Sequence, residues 1–253
     1  MELLPGDKGH FYAGTSNVVL PVPNKSMFPP HFRDKSRLTY YASLFNSVEV
    51  NSSFYKIPRG VTLEKWTTEV PDDFRFTFKL WQGITHNKEL SFNPETIAHF
   101  VKTISAVGKK KGCLLVQFPP AFSFNFTRLE NLLQYLQQEN THYSWRIAVE
   151  FRNRTWYQDI IYQLLEHYRM GMVIHDLPAS ATPLLEAGSD FVYLRFHGPE
   201  GGYRGSYTDD FLAEYASYIR EWQTDEKTVY VYFNNTMGEA VKNLATLNSF
   251  IKE

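Results

Sequence analysis

Charged and polar residues recur near the ends of short apolar segments in this chain. Residues 47–51 read SVEVN, residues 148–153 read AVEFRN, and residues 193–198 read YLRFHG. In each segment the polar residues alternate with apolar ones. Carboxylates, guanidinium groups and an imidazole are the side chains of acid–base catalysis and of anion binding. The spacing therefore predicts a polar site that is assembled from several segments.

Side chains of a β-strand point alternately to two faces, so alternating polar residues share one face. Applied to seven segments, this rule gives the shared face the residues Glu49, Asn51, Lys79, Gln117, Glu150, Arg152, Asp176, Arg195, His197 and Asn234. An unpaired charge is costly to bury, so these groups must pair with one another, form hydrogen bonds or meet a ligand. Internal salt bridges that only fill space are the alternative to a ligand site.

Four of these residues form the predicted catalytic group. Opposed charges in one cleft shift pKa values in directions that suit proton transfer. Glu150 and His197 are the expected acid and base, and Lys79 is expected to act as a base, a nucleophile or an electrostatic stabiliser. Asp176 would hold the neighbouring cations in place. If Glu150 is catalytic, its replacement by Gln abolishes turnover at little cost in stability, whereas a structural Glu150 makes that variant unfold readily.

A wider group of residues is predicted to bind the substrate, and we expect that substrate to be an anion. Residues 198–205 are rich in glycine and residues 235–236 precede a helix, at the two places where barrels often hold phosphate. A flexible loop and ordinary aromatic packing are the alternatives. The predicted substrate-binding residues are Glu49, Asn51, Tyr55, Gln117, Arg152, Arg195, Gly198, Tyr203, Asn234 and Asn235.

A catalytic metal is an alternative that the sequence does not favour. Glu49, Glu150, Asp176 and His197, with His175 or His86, are ligand types that metal-dependent barrel enzymes use. However, no compact pair of histidines supports such a site, and three cations on the same face would oppose a dication. We therefore predict no cofactor and no metal ligand, and retain a metal-dependent phosphoesterase as a third hypothesis.

The elements that must position these residues alternate between strand and helix. Runs rich in β-branched and aromatic residues predict eight strands, at 11–17, 47–55, 74–82, 113–120, 146–153, 171–176, 191–198 and 229–235. Helical patterns fill most intervals, with capping boxes at 127–130 and 236–239. Since a βαβ unit needs about 30 residues, eight units in 253 residues favour a single (β/α)8 TIM-type barrel over residues 1–253. Pro178 and Pro183 predict an irregular sixth unit.

The composition excludes several classes of protein. A hydrophobic fraction of 43% and a net charge of −1 argue against disorder and against bulk binding of nucleic acid or anionic membranes. The single cysteine, Cys113, excludes an internal disulfide framework. Neither a signal peptide nor an apolar span of membrane length is visible, so we expect a cytoplasmic protein with no membrane partner. The sequence sets no oligomeric state.

Several motifs taken together resemble one known family. They are GTS at 14–16, VEVNSSFY at 48–55, FTFK at 76–79, ITH at 84–86, QFPP at 117–120, VEFR at 149–152 with Trp156, LRFHG at 194–198 and YFNN at 232–235. In combination they resemble the YecE-like family, domain of unknown function 72, from about residue 12 to residue 235. The resemblance implies a TIM-type barrel whose shared cleft these residues line, and it implies no particular reaction.

The sequence thus favours an enzyme, namely a hydrolase, lyase or isomerase, that acts on a small anionic molecule such as a sugar phosphate or a nucleotide-like compound. The second hypothesis is a non-catalytic module that binds nucleic acid or a phosphorylated ligand in the same cleft. Nucleic acid is the less favoured partner, because the near-neutral charge argues against a long basic surface.

Overall fold

Eight parallel strands form one sheet in the computed structural model, which describes residues 9–183 and 189–252. The strands are β1 (Phe11–Thr15), β2 (Ser47–Val50), β3 (Arg75–Lys79), β4 (Lys111–Gln117), β5 (Arg146–Glu150), β6 (Gly171–His175), β7 (Phe191–Phe196) and β8 (Thr228–Phe233). Their order around the sheet is β1-β8-β7-β6-β5-β4-β3-β2, and a parallel bridge from Ser16 to Glu49 joins its two ends. The predicted TIM-type barrel is therefore confirmed.

Helices connect the strands along the outside of the barrel. In the described ranges the α-helices are α1 (Arg37–Ala42), α2 (Ser52–Tyr55), α3 (Gly60–Thr68), α4 (Gln82–Thr85), α5 (Pro94–Ile104), α6 (Phe126–Asn140), α7 (Asp159–His167), α8 (Asp209–Thr224) and α9 (Ala240–Lys252). Short 3-10 helices lie at Lys25–Met27, Pro30–Phe32, Lys88–Leu90, Ser105–Lys110 and Arg154–Trp156. No helix among these residues is both long enough and apolar enough to cross a membrane.

Two predicted helix starts were wrong in position. The side chain of Asn125 accepts a hydrogen bond from Arg128 N at 3.1 Å, so Asn125 caps α6 before the predicted box at 127–130. Residues 236–239 form a turn, and α9 begins only at Ala240. The side chain of Asn125 thus takes the capping role in α6, whereas the turn ahead of α9 is closed by a hydrogen bond from Gly238 N to the main-chain oxygen of Asn235 at 2.9 Å.

The sixth unit is irregular, as the two prolines predict. β6 ends at His175, and no helix occurs in the described parts of the connection to β7, residues 176–183 and 189–190. The loop instead folds back on its own strand. Thr182 N donates to His175 O at 3.0 Å, and Thr182 Oγ1 donates to Val173 O at 2.9 Å.

The strands separate two apolar layers. The predicted helix-facing residues all belong to the outer core, and they are Val48, Phe78, Val116, Val149, Phe151, Leu194, Phe196 and Phe233. A second cluster fills the inside of the barrel, and it consists of Tyr12, Cys113, Leu115, Ala148, Val173, Phe191, Tyr193, Tyr230 and Tyr232. Because side chains alternate with period two, the next inward residues toward the C-terminal strand ends are the polar ones. The inner aromatic cluster is therefore the floor of the polar site.

Side chains close the seam between β1 and β2 where the strand ladder is incomplete. Tyr41 OH accepts from Thr15 N at 2.7 Å and donates to Ser47 O at 2.9 Å. Asn46 bridges the two strands lower down, through Ala13 N at 2.9 Å and Phe11 O at 2.8 Å. These bonds fix the position of β2, and with it the position of Glu49 in the polar site.

Candidate functional site

Arg195 is the central residue of the polar layer, and its side chain is only 1% exposed. Its Nε and Nη2 donate to the two oxygens of Glu49 at 2.9 and 2.8 Å. Its Nη1 donates to Glu150 Oε2 at 2.6 Å. One guanidinium group thus links β2, β5 and β7 in a charge-assisted network. Because Glu49 and Glu150 occupy its guanidinium group, Arg195 would influence a ligand only through these two glutamates.

Both glutamates of this network stay ionised. Glu49 also accepts hydrogen bonds from Ser16 Oγ and Tyr193 OH, each at 2.6 Å. Burial acts to raise the pKa of Glu49, but Arg195 and the hydrogen bonds outweigh it and lower the pKa. Burial likewise acts to raise the pKa of Glu150, while Arg152 and Arg195 hold it well below its ordinary value. Neither carboxyl group therefore carries a proton to donate near neutral pH.

Arg152 forms the upper edge of the same network. Its Nε pairs with Glu150 Oε1, and its Nη2 lies 3.0 Å from His197 Nε2. Its side chain is 9% exposed, compared with 0% for Glu150. In the described part of the chain, Arg152 Nη1 has no hydrogen-bond partner. Arg152 is therefore a cation that supports the network and retains slight exposure and an unbonded nitrogen.

The hydrogen bonds of His197 fix its tautomer. Its Nε2 faces two guanidinium donors, Arg152 Nη2 at 3.0 Å and Arg195 Nη1 at 3.2 Å. A guanidinium has no acceptor, so Nε2 must accept and Nδ1 must carry the proton, which it donates to Asp176 Oδ1 at 3.2 Å. Burial lowers the pKa of His197 to about 4, against the opposing effect of Asp176. The predicted base is thus a neutral imidazole whose lone pair is already occupied.

The prediction that Asp176 lies on the inward face of β6 was wrong. Val173 belongs to the inner cluster, so His175 is the inward residue at the end of β6. Asp176 follows the strand and still reaches the site, where it accepts hydrogen bonds from His197 N at 2.7 Å and from Tyr207 OH. Tyr207 OH in turn accepts from Gly198 N at 2.5 Å. Asp176 and Gly198 therefore position the end of β7.

His175 was considered only as a metal ligand and not as a catalytic or substrate-binding residue, although it lies 3% exposed inside the barrel. Its ring nitrogens bond to the main chain, Nε2 to Phe151 O at 2.8 Å and Nδ1 to Leu177 N at 3.3 Å. Since Leu177 N can only donate, Nδ1 accepts and Nε2 carries the proton. Burial lowers the pKa of His175. These bonds indicate that His175 holds the main chain of β6 and of the segment after β5 in place.

Lys79 is the charged residue of the site that lacks a carboxylate partner. Its Nζ lies 4.0 Å from the centroid of the Phe54 ring, and no ion pair or hydrogen bond reaches Nζ from the described residues. Burial lowers the pKa of Lys79 to about 8, assisted by Arg195 and opposed by Glu150. Lys79 therefore stands at the mouth as a cation that loses its proton easily.

His86 is a second neighbour that was named only as a metal ligand and as part of a cleft motif, not among the predicted catalytic or substrate-binding residues. Its ring packs edge-on against Phe54 at 4.8 Å, and its Nδ1 lies 2.8 Å from Thr85 Oγ1. Burial lowers the pKa of His86 to about 4, with further lowering by Lys79 and Arg152. The motif at 84–86 carried the signal for this residue. What the sequence did not show was α4, the single helical turn that carries His86 back toward Lys79.

The remaining predicted residues divide between the rim and the loops. Tyr55 and Tyr203 are 69% and 40% exposed at the rim, and the Tyr203 ring lies 5.9 Å from that of His197. Asn51 and Asn234 are half-buried, and Gln117 is buried and donates to Phe118 O.

The side chain of Asn235 forms hydrogen bonds to neighbouring segments of the protein. Its Nδ2 donates to Gly205 O and to Asn243 Oδ1, each at 3.0 Å. Met237 N also donates to Tyr203 O at 3.0 Å. The loops after β7 and β8, predicted to hold phosphate, are thus bonded to each other, and Asn235 holds them together.

Residues 9–183 and 189–252 contain no cluster of side chains of the kind that the hypothesis of a catalytic metal requires. No group of three or more His, Cys, Asp or Glu side chains there could hold a metal ion. The carboxylates of Glu49 and Glu150 already bind arginine, and Asp176 binds donors from β7 and its loop.

An eight-stranded parallel barrel with a polar layer at its C-terminal mouth defines a TIM-barrel protein with a candidate active site. Its family follows from similarity. The family model described as "Protein of unknown function DUF72" matches residues 12–253, and the chain therefore belongs to the DUF72 family. The predicted resemblance to YecE-like proteins is confirmed.

Curated relatives and a solved structure show what the chain is similar to. The UPF0759 protein YunF of Bacillus subtilis is 29% identical over an alignment of 243 residues, and the match covers 84% of this chain and 85% of YunF. The UPF0759 protein YecE of Escherichia coli K12 is 32% identical over 85 residues, which is 34% of this chain and 31% of YecE. A DUF72 family structure from Thermotoga maritima gives a TM-score of 0.78 at 24% identity, covering 96% of this chain and 100% of that one. This structure supports the fold alone.

Proposed function

We propose that this protein is an enzyme, a hydrolase, lyase or isomerase, that acts on a small anionic molecule at the C-terminal mouth of its barrel. The observation that carries the proposal is the division of charge between floor and mouth. Glu49 and Glu150 are 0% exposed and neutralise Arg195 and Arg152. Lys79 is then left as an additional positive charge without a partner carboxylate among the described residues.

The groups that a ligand would meet support an anionic substrate. Arg152 Nη1 has no hydrogen-bond partner among the described residues, and Arg152 is one of the nearby charges that, together with burial, lower the pKa of Lys79. Asn51 and Asn234 are half-buried and offer amide groups. Cations and amides are the groups that bind carboxylates and phosphates, so we expect these four residues to contact an anionic substrate.

Binding of inorganic phosphate and of a panel of phosphorylated and carboxylated metabolites tests this proposal. Calorimetry should show binding to the wild type, at least ~10-fold weaker binding to Lys79→Met, and unchanged binding to Lys102→Met. Lys102 is an exposed lysine on α5, so it controls for the loss of a surface charge. Equal affinity in all three proteins would place the anion elsewhere and overturn the proposal.

A second candidate is a non-catalytic module that binds nucleic acid or a phosphorylated ligand. The observation in its favour is the pair of exposed aromatic rings at the rim, Tyr55 and Tyr203. Exposed rings stack on bases at about 1–3 kcal/mol each. Tight binding of a single-stranded oligonucleotide that Tyr203→Ala weakens, with no turnover of any small anion, would favour this module over the enzyme.

A further inference from the structure

Lys79 has an environment that differs from those of the two arginines of the site. Each arginine is paired with a buried glutamate, whereas the Nζ of Lys79 rests against the face of Phe54 at 4.0 Å. A lysine that serves only to fill a charge network would take a carboxylate partner. The carboxylates of Glu49 and Glu150 are instead committed to Arg195 and Arg152. Lys79 is therefore available for chemistry.

We propose that Lys79 is a nucleophile that forms an imine with a small carbonyl compound carrying a carboxylate or a phosphate group. This inference rests on the proposed function, because Arg152 would hold the anionic group at the same mouth. A nucleophilic lysine must lose its proton, and desolvation beside another cation promotes that loss. The pKa of Lys79 is lowered to about 8 by burial and by Arg195, so part of the population is neutral near pH 7.

The step needs no oxidant or reductant. The lone pair of Nζ forms a bond to the carbonyl carbon, and the electrons of the C=O double bond move to oxygen, which takes a proton as the nitrogen loses one. The resulting carbinolamine then loses its hydroxyl group with one further proton as water, which leaves the C=N double bond.

His86 is placed to carry these protons. Its ring packs on the same Phe54 ring that Lys79 covers, at 4.8 Å. With its pKa lowered to about 4, the imidazole is neutral near pH 7 and a weak base by itself, but its one donor and one acceptor nitrogen can relay a proton without the ring becoming charged. Its Nε2 has no partner in the described part of the chain. Unlike His197, His86 therefore keeps a free nitrogen at the mouth.

An imine intermediate would also limit which of the proposed reaction classes the enzyme can catalyse. A protonated imine draws electrons from the neighbouring carbon, so a C–C or C–H bond there breaks more easily. This chemistry belongs to lyases and isomerases and is of no use for hydrolysing a phosphate ester. Of the three predicted classes, the inference therefore selects the lyases and isomerases.

Reductive trapping tests the proposal on the full chain. The protein is incubated with pyruvate, with dihydroxyacetone phosphate, or with the neutral analogue hydroxyacetone, in the presence of cyanoborohydride, and the labelled peptides are identified by mass spectrometry. Lys79 should be labelled at least ~10-fold faster than exposed lysines, because a larger fraction of it is neutral at pH 7. At least one anionic probe should label Lys79 at least ~10-fold faster than hydroxyacetone, because Arg152 attracts it.

Two variants separate the possible results. In Lys79→Arg the fast label should disappear with the fold intact by circular dichroism, and in Lys102→Arg it should remain. Labelling spread over exposed lysines, with none at Lys79, would overturn the inference. Equal labelling by the neutral analogue would overturn the anionic class of substrate. Phosphate binding, measured separately, then decides the proposed function, which stands if phosphate binds at Lys79 even when no imine forms.

Discussion

Glu150 illustrates how a residue's surroundings limit the chemistry that its type allows. A carboxylate on the inward face of a barrel strand is a reasonable acid, yet this one is fully buried between two guanidinium groups. Arg152 and Arg195 hold its pKa well below the ordinary value, against the effect of burial. A group with so low an affinity for protons is a poor general acid and a weak general base. The geometry favours Glu150 as the residue that fixes both arginines.

Replacing Glu150 with Gln should therefore destabilise the protein by about 3 kcal/mol. The amide would leave two buried guanidinium groups without their shared countercharge and would place an N–H donor against a donor. Urea unfolding at pH 7 measures the change, and Glu64→Gln, on the exposed face of α3, is the matched control. Wild-type stability combined with complete loss of turnover would show instead that Glu150 is catalytic.

His197 gives the protein a dependence of stability on pH. Its pKa is lowered from 6.5 to about 4 in the folded state by burial, so the unfolded chain binds the proton first as the pH falls. Stability from this residue is complete above about pH 6.5 and is lost progressively toward pH 4, with a total of roughly 3 kcal/mol. His175, whose pKa is also lowered, adds a loss of the same sign.

The variant His197→Asn should lose less stability than the wild type between pH 6.5 and pH 4. Asparagine does not titrate there, so the free energy of unfolding should fall with a shallower slope. His99→Asn, at an exposed position on α5, controls for the loss of a histidine. Thermal unfolding at several pH values gives the slopes, and identical slopes in the wild type and His197→Asn would refute the assignment of this titration.

At the level of elements, the seam between β1 and β2 determines where the site's first glutamate lies. Glu49 follows Ser47 by two residues, and Ser47 is held by Tyr41 OH through its main-chain oxygen at 2.9 Å. The two strands approach so closely at Gly14 that a Cβ there would overlap the Ser47 carbonyl oxygen and crowd Tyr41. The glycine of the GTS motif is thus required by the backbone, and Ser16 can then bond to Glu49.

Gly14→Ala should cost about 3 kcal/mol or more, because the added methyl group meets backbone atoms that cannot move without separating the strands. Gly60→Ala is the control, since a Cβ at Gly60 has Ala106 Cβ at 3.8 Å as its nearest neighbour. Calorimetric unfolding of both variants compares them. A stable Gly14→Ala with the wild-type melting temperature would mean that the seam is less rigid than its contacts indicate.

The strands and short helices around the site also show which of its features could be predicted from the sequence. Period-two alternation correctly placed the helix-facing residues of β5 and β7, because both strands run without interruption into the site. It failed on β6, where the strand stops at His175 and Asp176 turns back from the loop. Helices as short as α2 and α4 carry too few residues for a helical period. Hence Tyr55 was predicted on a strand, and His86 was not among the predicted catalytic or substrate-binding residues.

Across the whole molecule, a formal charge of −1 conceals an ordered arrangement of charge. An apolar inner cluster closes the barrel, four charged residues above it neutralise one another, and Lys79 stands at the mouth. The sequence predicted that these charges converge, since that follows from the fold. It could not predict which carboxylate pairs with which cation, because pairing depends on separations of about 3 Å between distant segments.

This arrangement leads to the last prediction, that divalent metals do not stabilise the protein. A dication at the mouth would have to displace guanidinium groups from Glu49 or Glu150 while Lys79 repels it. Ligands that bind the folded state raise the unfolding temperature. Adding Zn²⁺, Mn²⁺ or EDTA should therefore leave the melting temperature unchanged, and elemental analysis should find no stoichiometric metal. A metal-dependent rise that is absent in Glu150→Gln would instead establish a metal site and restore the phosphoesterase hypothesis.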